Sequence, residues 1–388
     1  MQIEFAASER STVGIEWELA LVDRTTGDLV QIAEEVLAAV AQADGSAHPQ
    51  ITHELLLNTI ELVSRVHRTI PEAVSDLREL IAEVQAVIDP LGIDLMCAGA
   101  HPFAQWFDQK VTPSERYDHL LERTQWWGRQ MLIWGVHVHV GIEDGAKALP
   151  ILNGLLAYYP HLQALSASSP FWGGATTGYA SNRALMFQQL PTAGLPYQFG
   201  TWANYEEYVQ DLVTTSVIRD YSEVRWDIRP SPKWGTVEIR ACDGLSTTQE
   251  IGAVAAVIQC LVERMSTQLD DGEDLMNLQP WFIRENKWRA ARYGLDADII
   301  VNPEGGESLV TDDIRRLVDE LGATAQRLGC AAELNDVTAI LSGGASYQRQ
   351  LRVANENGGS LQAVVSSLTH ELRNGLGSHQ GRAEQRQP

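Results

Sequence analysis

Glu16 and Glu18 stand two residues apart in the stretch Gly14-Ile15-Glu16-Trp17-Glu18-Leu19. Successive side chains of a strand face opposite sides of a sheet. This spacing therefore sets two carboxylates side by side over an apolar surface of Ile15, Trp17 and Leu19. Like charges that close repel, and each raises the other's pKa unless something positive sits between them. A divalent cation is the common solution. The pattern recurs twice. Ile133-Trp134-Gly135-Val136-His137-Val138-His139-Val140-Gly141 puts His137 and His139 on one face and three valines on the other. Thr236-Val237-Glu238-Ile239-Arg240-Ala241-Cys242 puts Glu238 beside Arg240, against Val237, Ile239 and Ala241. One such strand alone reads as the wet side of a half-buried sheet. Three of them, all carrying residue types that bind metal and phosphate, favour a site.

A fourth segment, His53-Glu54-Leu55-Leu56-Leu57-Asn58-Thr59-Ile60-Glu61-Leu62-Val63, adds two glutamates among apolar residues. Buried carboxylates are paired or on metal. The alternative is a short amphipathic helix with Glu54 and Glu61 in water. Collected, the set is Glu16, Glu18, Glu54, Glu61, Glu238, one or both of His137 and His139, and Arg240. Hard oxygen donors suit Mg²⁺ or Mn²⁺. One such ion needs one or two carboxylates, so five point to two or three ions bridging phosphate oxygens, as in phosphoryl transfer. A hydrolytic zinc site uses two or three histidines with one carboxylate, which the excess of glutamates fits poorly.

Sheet and helix must hold these residues. Asp23–Asp28 is a polar turn leading to Leu29–Ile32 as the partner of a hairpin. Helices are predicted over 33–43, 69–91, 117–128, 149–166 with a break near Pro160, 205–214, 248–268, 312–329, 331–342 and 359–374. Strands are predicted over 93–98, 224–229 and 236–242. Residues 167–204, rich in Ser, Gly, Thr, Pro and aromatics, read as a long ordered loop region carrying Arg183. The expected organisation is one catalytic domain over 1–376, with a sheet-rich core (1–247), a helical layer (248–376) and a frayed tail (377–388).

The 388-residue chain has a formal net charge of −22. That argues against a nucleic-acid partner and requires cations and arginines wherever a phosphate binds. Cys97, Cys242, Cys260 and Cys330 lack metal or redox spacing and read as reduced core thiols. With no signal-peptide pattern at the N-terminus and no membrane-length apolar run, the expectation is a cytoplasmic protein. No Walker or Rossmann glycine motif is present, so a nucleotide has to be held by other means.

Taken together with Ser181-Asn182-Arg183 and Leu190-Pro191-Thr192-Ala193-Gly194-Leu195-Pro196, and with Arg284-Glu285-Asn286-Lys287-Trp288-Arg289-Ala290-Ala291-Arg292-Tyr293-Gly294, the chain resembles the type 2 glutamate–cysteine ligase family, or carboxylate–amine ligases. The resemblance spans roughly residues 10–375. It implies an α+β fold, with an antiparallel sheet of the glutamine synthetase-like type and helices packed on one face. It implies that ATP phosphorylates the γ-carboxylate of glutamate and that the amine of cysteine displaces phosphate from the acyl phosphate. Glu18, Glu54 and Glu61 match one family metal site, and Glu16, His137 and Glu238 match the others. Arg240 matches the residue that meets the transferred phosphoryl group, which makes Glu238 and Arg240 the catalytic pair.

Other roles stay open. His139 is a metal ligand, a substrate contact or a hydrogen-bonded sheet residue. Arg183 binds a substrate carboxylate or lies on the surface. Lys287, Arg289 and Arg292 reach nucleotide phosphates or belong to a packed helix with snorkelling arginines. The partners expected are amino acids and ATP, with a homodimer open. Rival readings are a ligase for another acid or amine, a phosphagen-kinase-like phosphotransferase, and a non-catalytic binding protein on this scaffold.

Overall fold

The computed structural model describes residues 2–375; the tail expected over 377–388 lies outside them. Seven strands form the main sheet: β1 (Val13–Asp23), β2 (Ile51–His53), β3 (Thr59–Val63), β4 (Ile93–Met96), β5 (Gly135–Gly141), β8 (Ile228–Ser231) and β9 (Thr236–Asp243). Two small hairpins stand apart, β6 (Phe171–Trp172) with β7 (Ala175–Thr176), and β10 (Asp298–Ile300) with β11 (Glu307–Leu309). The main order is β2-β3-β1-β5-β9-β8, with β4 also on β1, and every pairing is antiparallel. This is an α+β fold with an antiparallel sheet.

Alternation along β1 sends Ile15, Trp17 and Leu19 into a core from which solvent is excluded. Val136, Val138, Val140, Val237 and Ile239 join them from the neighbouring strands. Two long helices cover this face. Ile70–Ile88 presents Val74, Leu77, Ile81 and Val84 at helical spacing. Its start is set by Pro71 in the first turn and by the Glu72 carboxylate, which accepts from the Thr69 N–H at 3.2 Å. Thr248–Asp270 is buried on most of its surface because Ile70–Ile88, Val310–Leu328 and Ala331–Gly343 all pack on it. No helix of the described residues is long and apolar enough to cross a membrane.

Several expectations need correction. The alternative of a short helix over residues 53–63 does not form: β2 ends at His53 and β3 runs from Thr59 to Val63. Leu29–Ile32 is not a strand and makes only the bridge Val22–Leu29. The strand expected over 224–229 begins at Ile228 and continues through Pro230, which the edge position of β8 allows because proline has no N–H to donate. The loop region holds the short helix Asn182–Phe187, and the helix Ser346–Glu356 went unread. The helix expected over 117–128 is split at Gln125, whose φ is +47°.

β5 and β9 pair with an irregularity at His137. Val136 lies opposite Cys242 and Val138 opposite Ile239, so Arg240 and Ala241 both fall across from His137. A bulge of this kind re-aims side chains. Strict alternation would set Cys242 beside Glu238 and Arg240; the shift instead sends both Ala241 and Cys242 into the core.

Candidate active site

Pairing register assembles the residues from distant parts of the chain. Glu18 lies opposite Glu61 between β1 and β3, and Glu16 lies opposite His137 between β1 and β5. His139 lies opposite Glu238 between β5 and β9, and Arg229 lies opposite Glu238 between β8 and β9. Directly opposed residues share a face of the sheet. The result is a polar stripe across five strands, running from carboxylates at β3 to arginines at β8. Glu16, Glu18, Glu61, His137, Arg229 and Arg240 of this stripe line a cavity of about 290 Å³, with Glu54 from the loop after β2 and Arg183 from the helix Asn182–Phe187; His139 and Glu238 are not part of its lining.

The acidic end carries uncompensated charge. Burial and the neighbouring Glu54 push the Glu18 carboxyl up to about 7, although Arg183, Arg240 and the Gly135 N–H oppose the shift. That N–H donates to Glu18 Oε2 at 2.5 Å. Burial and the carboxylates of Glu54, Glu16 and Glu18 raise Glu61 well above its ordinary value. Burial also raises Glu54. Glu16 moves the other way: burial opposes its charge, but hydrogen bonds from His137 and His139 outweigh it. His137 Nδ1 is 2.9 Å from Glu16 Oε2, and His139 Nε2 is 3.2 Å from Glu16 Oε1. Burial and Arg240 push His137 down to about 4, which leaves its ring neutral and able to act as a ligand near pH 7. His139 is raised, because Glu238 and Glu16 outweigh its burial; its Nδ1 is 2.8 Å from Thr236 Oγ1.

At the basic end Glu238 is 1% exposed and clamped from two sides. Arg240 reaches its Oε1 at 2.5 Å and Arg229 its Oε2 at 2.6 Å. Burial opposes its charge, but the two arginines hold its carboxyl well below the usual range. Arg183 is buried, and its Nη1 donates to the Arg240 carbonyl at 3.3 Å. The Nε of Arg183 and the Nε of Arg240 are buried without a hydrogen-bond partner among the described residues. Arg183 gets this close only because residue 135 is glycine: a Cβ there would lie 2.1 Å from Arg183 Nη2. The ring of Phe187 packs against both guanidiniums, 5.7 Å from Arg183 and 5.8 Å from Arg240.

Two donor sets fit a divalent cation. Ligand atoms of Glu16, His137 and Glu238 lie within 4.8 Å of one another, and so do those of Glu18, Glu61 and His137. The mix of carboxylate oxygens with one imidazole suits Mg²⁺ or Mn²⁺. Repulsion among Glu18, Glu54 and Glu61 is what such an ion relieves.

Three residues read as nucleotide contacts or as members of a packed helix stand outside this cavity. All belong to the helix Pro280–Tyr293, and none lines the cavity. Lys287 is buried against Asp227 at 2.6 Å. Arg289 pairs with Glu285 at 2.8 Å and Glu307 at 2.6 Å. Arg292 bonds the Gly178 carbonyl and lies over the rings of Tyr179 and Tyr293. Conversely, Arg116, Tyr117, Arg225 and Arg229 line the cavity and were missed. Arg225 and Arg229 left a trace, in a predicted strand over 224–229 next to that of Glu238. Nothing near Arg116 marked it.

The family model for glutamate–cysteine ligase family 2 matches residues 12–367. A relative from Leifsonia xyli subsp. xyli, provisionally named glutamate–cysteine ligase 2, is 72% identical over 376 residues, covering 97% of this chain and 100% of its own. A relative of the same provisional name from Clavibacter sepedonicus is 61% identical over 378 residues, covering 97% and 98%. Among solved structures, the glutamate–cysteine ligase of Francisella tularensis in complex with AMP is 15% identical and superposes with a TM-score of 0.67 over 96% of this chain and 90% of that one. A bifunctional glutathione synthetase from Pasteurella multocida gives 0.66 at 14% identity, over 93% of this chain and 52% of that one. These two likenesses speak to the fold. The sequence matches, which run through all five site strands and the whole polar stripe, carry more: the chain belongs to glutamate–cysteine ligase family 2, the carboxylate–amine ligases.

Proposed function

We propose that this protein joins the γ-carboxylate of L-glutamate to the amine of L-cysteine at the expense of ATP. The observation that carries the reading is one cavity with crowded carboxylates at one end and donor-rich arginines at the other. The names of the close relatives support the two amino acids. Glu16, His137 and Glu238 would hold one divalent cation, and Glu18, Glu61 and Glu54 another. When bound, such ions neutralise the triphosphate and the attacking carboxylate, two anions that otherwise repel.

The chain's own residues do the rest. Arg240 presents a fixed planar fork of donors to the phosphoryl oxygens. Glu238 and the bulge at His137 set the direction of that fork. Arg183 ties down the Arg240 backbone through its carbonyl and brings a second charge to the cavity. In the first step a γ-carboxylate oxygen bonds to the terminal phosphorus and ADP leaves. In the second the amine nitrogen bonds to the acyl carbon, and phosphate leaves with the former carboxylate oxygen. Holding the reactants in line supplies much of the acceleration. The four cysteines, all buried and free of disulfides, support a cytoplasmic setting.

Glutamate labelled with ¹⁸O in its γ-carboxylate tests the order of steps. One label per peptide is expected in the released phosphate. Unlabelled phosphate during productive turnover rules the acyl phosphate out. ADP release that needs an acid but no amine would identify a kinase instead.

A further inference from the structure

A second chamber of about 220 Å³ adjoins the cavity. Arg116, Leu120, Ser222 and Arg225 line both, so the two volumes share a wall. The chamber's remaining polar lining is His119, Arg123, Arg219, Asp220 and Glu223. Four arginines around so small a space stand out in a chain of net charge −22.

Most of the acidic groups nearby are already committed. The Asp220 carboxylate accepts from the Ser222 N–H at 2.8 Å. Glu223 Oε1 accepts from the Arg219 N–H at 3.3 Å. Arg219 lies 3.8 Å from Glu115, and Arg123 donates to the Val217 carbonyl. Arg225 is the exception. Its side chain is 15% exposed, yet the nearest carboxylate oxygen, on Glu223, is 3.9 Å away. Its guanidinium donates one hydrogen bond, to the Glu223 carbonyl at 3.1 Å. Arg116 makes no ion pair among the described residues. Arg229 and Arg240, by contrast, each hold a close ion pair with Glu238. A guanidinium carries five donors in a rigid fork. Buried among other arginines with most of them unused, it calls for an anion.

We infer that Arg225 and Arg116 form a subsite for the α-carboxylate of an amino-acid substrate, seated in this second chamber. A carboxylate matches the fork in a bidentate pair. The triphosphate needs the cations of the acidic wall, whereas none of Glu16, Glu18, Glu54 and Glu61 lines this chamber. The inference rests on the ligase reading and adds what fixes the amino acid end of the reaction. Two substrates carry such a carboxylate, the donor glutamate and the acceptor cysteine, and the test separates them.

Each substrate has an analogue lacking only that group: 4-aminobutyrate for glutamate and cysteamine for cysteine. The wild-type protein is expected to prefer one parent over its analogue in kcat/KM by roughly 100-fold, the worth of two charge-assisted hydrogen bonds. In R225Q that preference should collapse to a few-fold, for that substrate alone, with KM for ATP unchanged. R225K should recover part of it. R116Q, at an exposed position that the fold does not need, should weaken the same preference by about 10-fold; it serves as the readout if R225Q does not fold. Collapse on the cysteine pair assigns the chamber to the acceptor, and collapse on the glutamate pair assigns it to the donor. Preferences unchanged in folded R225Q, or a loss confined to KM for ATP, overturn the subsite while leaving the ligase reading intact. No ADP release with any acid and amine pair overturns both.

Discussion

Around Arg349 every buried carboxylate has its donors, whereas around Glu18 the carboxylates face one another. Arg349 reaches Glu250 at 2.8 Å and Glu371 at 2.9 Å, joining three helices. Ser246 Oγ donates to Glu371 at 2.6 Å, and the hydroxyl of Thr247 lies 3.1 Å from Glu250. Charge buried this way is closed: nothing from outside is needed, and removing one member strands the others. Glu18, Glu54 and Glu61 are half-buried and lack that closure, and burial raises all three. The same physics gives a staple in one region and a waiting cation site in the other. What separates them is whether the protein itself supplies the counter-charge.

The sharpest way to break this comparison is to neutralise one charged group in the active site and one in the Arg349 network. Glu238→Gln should lower ADP release by about 10³-fold, because it frees Arg240 from its aim and removes a cation ligand. A near-normal rate in that variant would put β9 outside the site. Arg349→Met should do the reverse. Stability should fall by about 3 kcal/mol in urea unfolding, as for a broken buried ion network, while the rate per folded molecule stays unchanged.

Next in size is an effect of pH on the metal-free protein. Glu18 titrates near 4.5 when unfolded and at about 7 when folded. Between those values the folded chain binds the extra proton. The stability this residue contributes is therefore complete below pH 4.5 and lost as pH rises to about 7. Glu18→Gln should thus unfold at higher urea than wild type at pH 8, by roughly 2–3 kcal/mol in chelator. The gap should close towards pH 4.5. Equal stabilities at pH 8 would mean that the acidic cluster stores no repulsion. Smallest is the effect on ligand affinity: calorimetry should show ATP binding about 30-fold weaker in chelator than in Mg²⁺, since the bare glutamates repel the triphosphate. Metal-independent affinity would contradict the assignment of these residues as cation ligands.

How much of this was legible depended on the range of the cause. Glu16 with Glu18, His137 with His139, and Glu238 with Arg240 could be paired on paper because strand alternation is a local rule. Residues 53–63 left two readings open because β2 is only three residues long and the run Leu55–Leu57 carries no period. Lys287 looked like a phosphate contact in its basic helix; its partner Asp227 is 60 residues away in the chain. Arg225 and Arg116 had no motif at all, since their only common feature is the cavity they line.

The sequence by itself therefore determined the residue types, their sharing of a face within each strand, the chemistry those types favour and the family. Periodicity and chemical identity are properties of neighbours in the chain. Tertiary structure alone decided which strands lie side by side, the register that sets Glu18 across from Glu61 and Glu16 across from His137, and the shift that aims Arg240. It alone decided which buried charges found protein partners. Those outcomes depend on contacts between residues tens to hundreds of positions apart, where sheet pairing and burial act and no local pattern records the result.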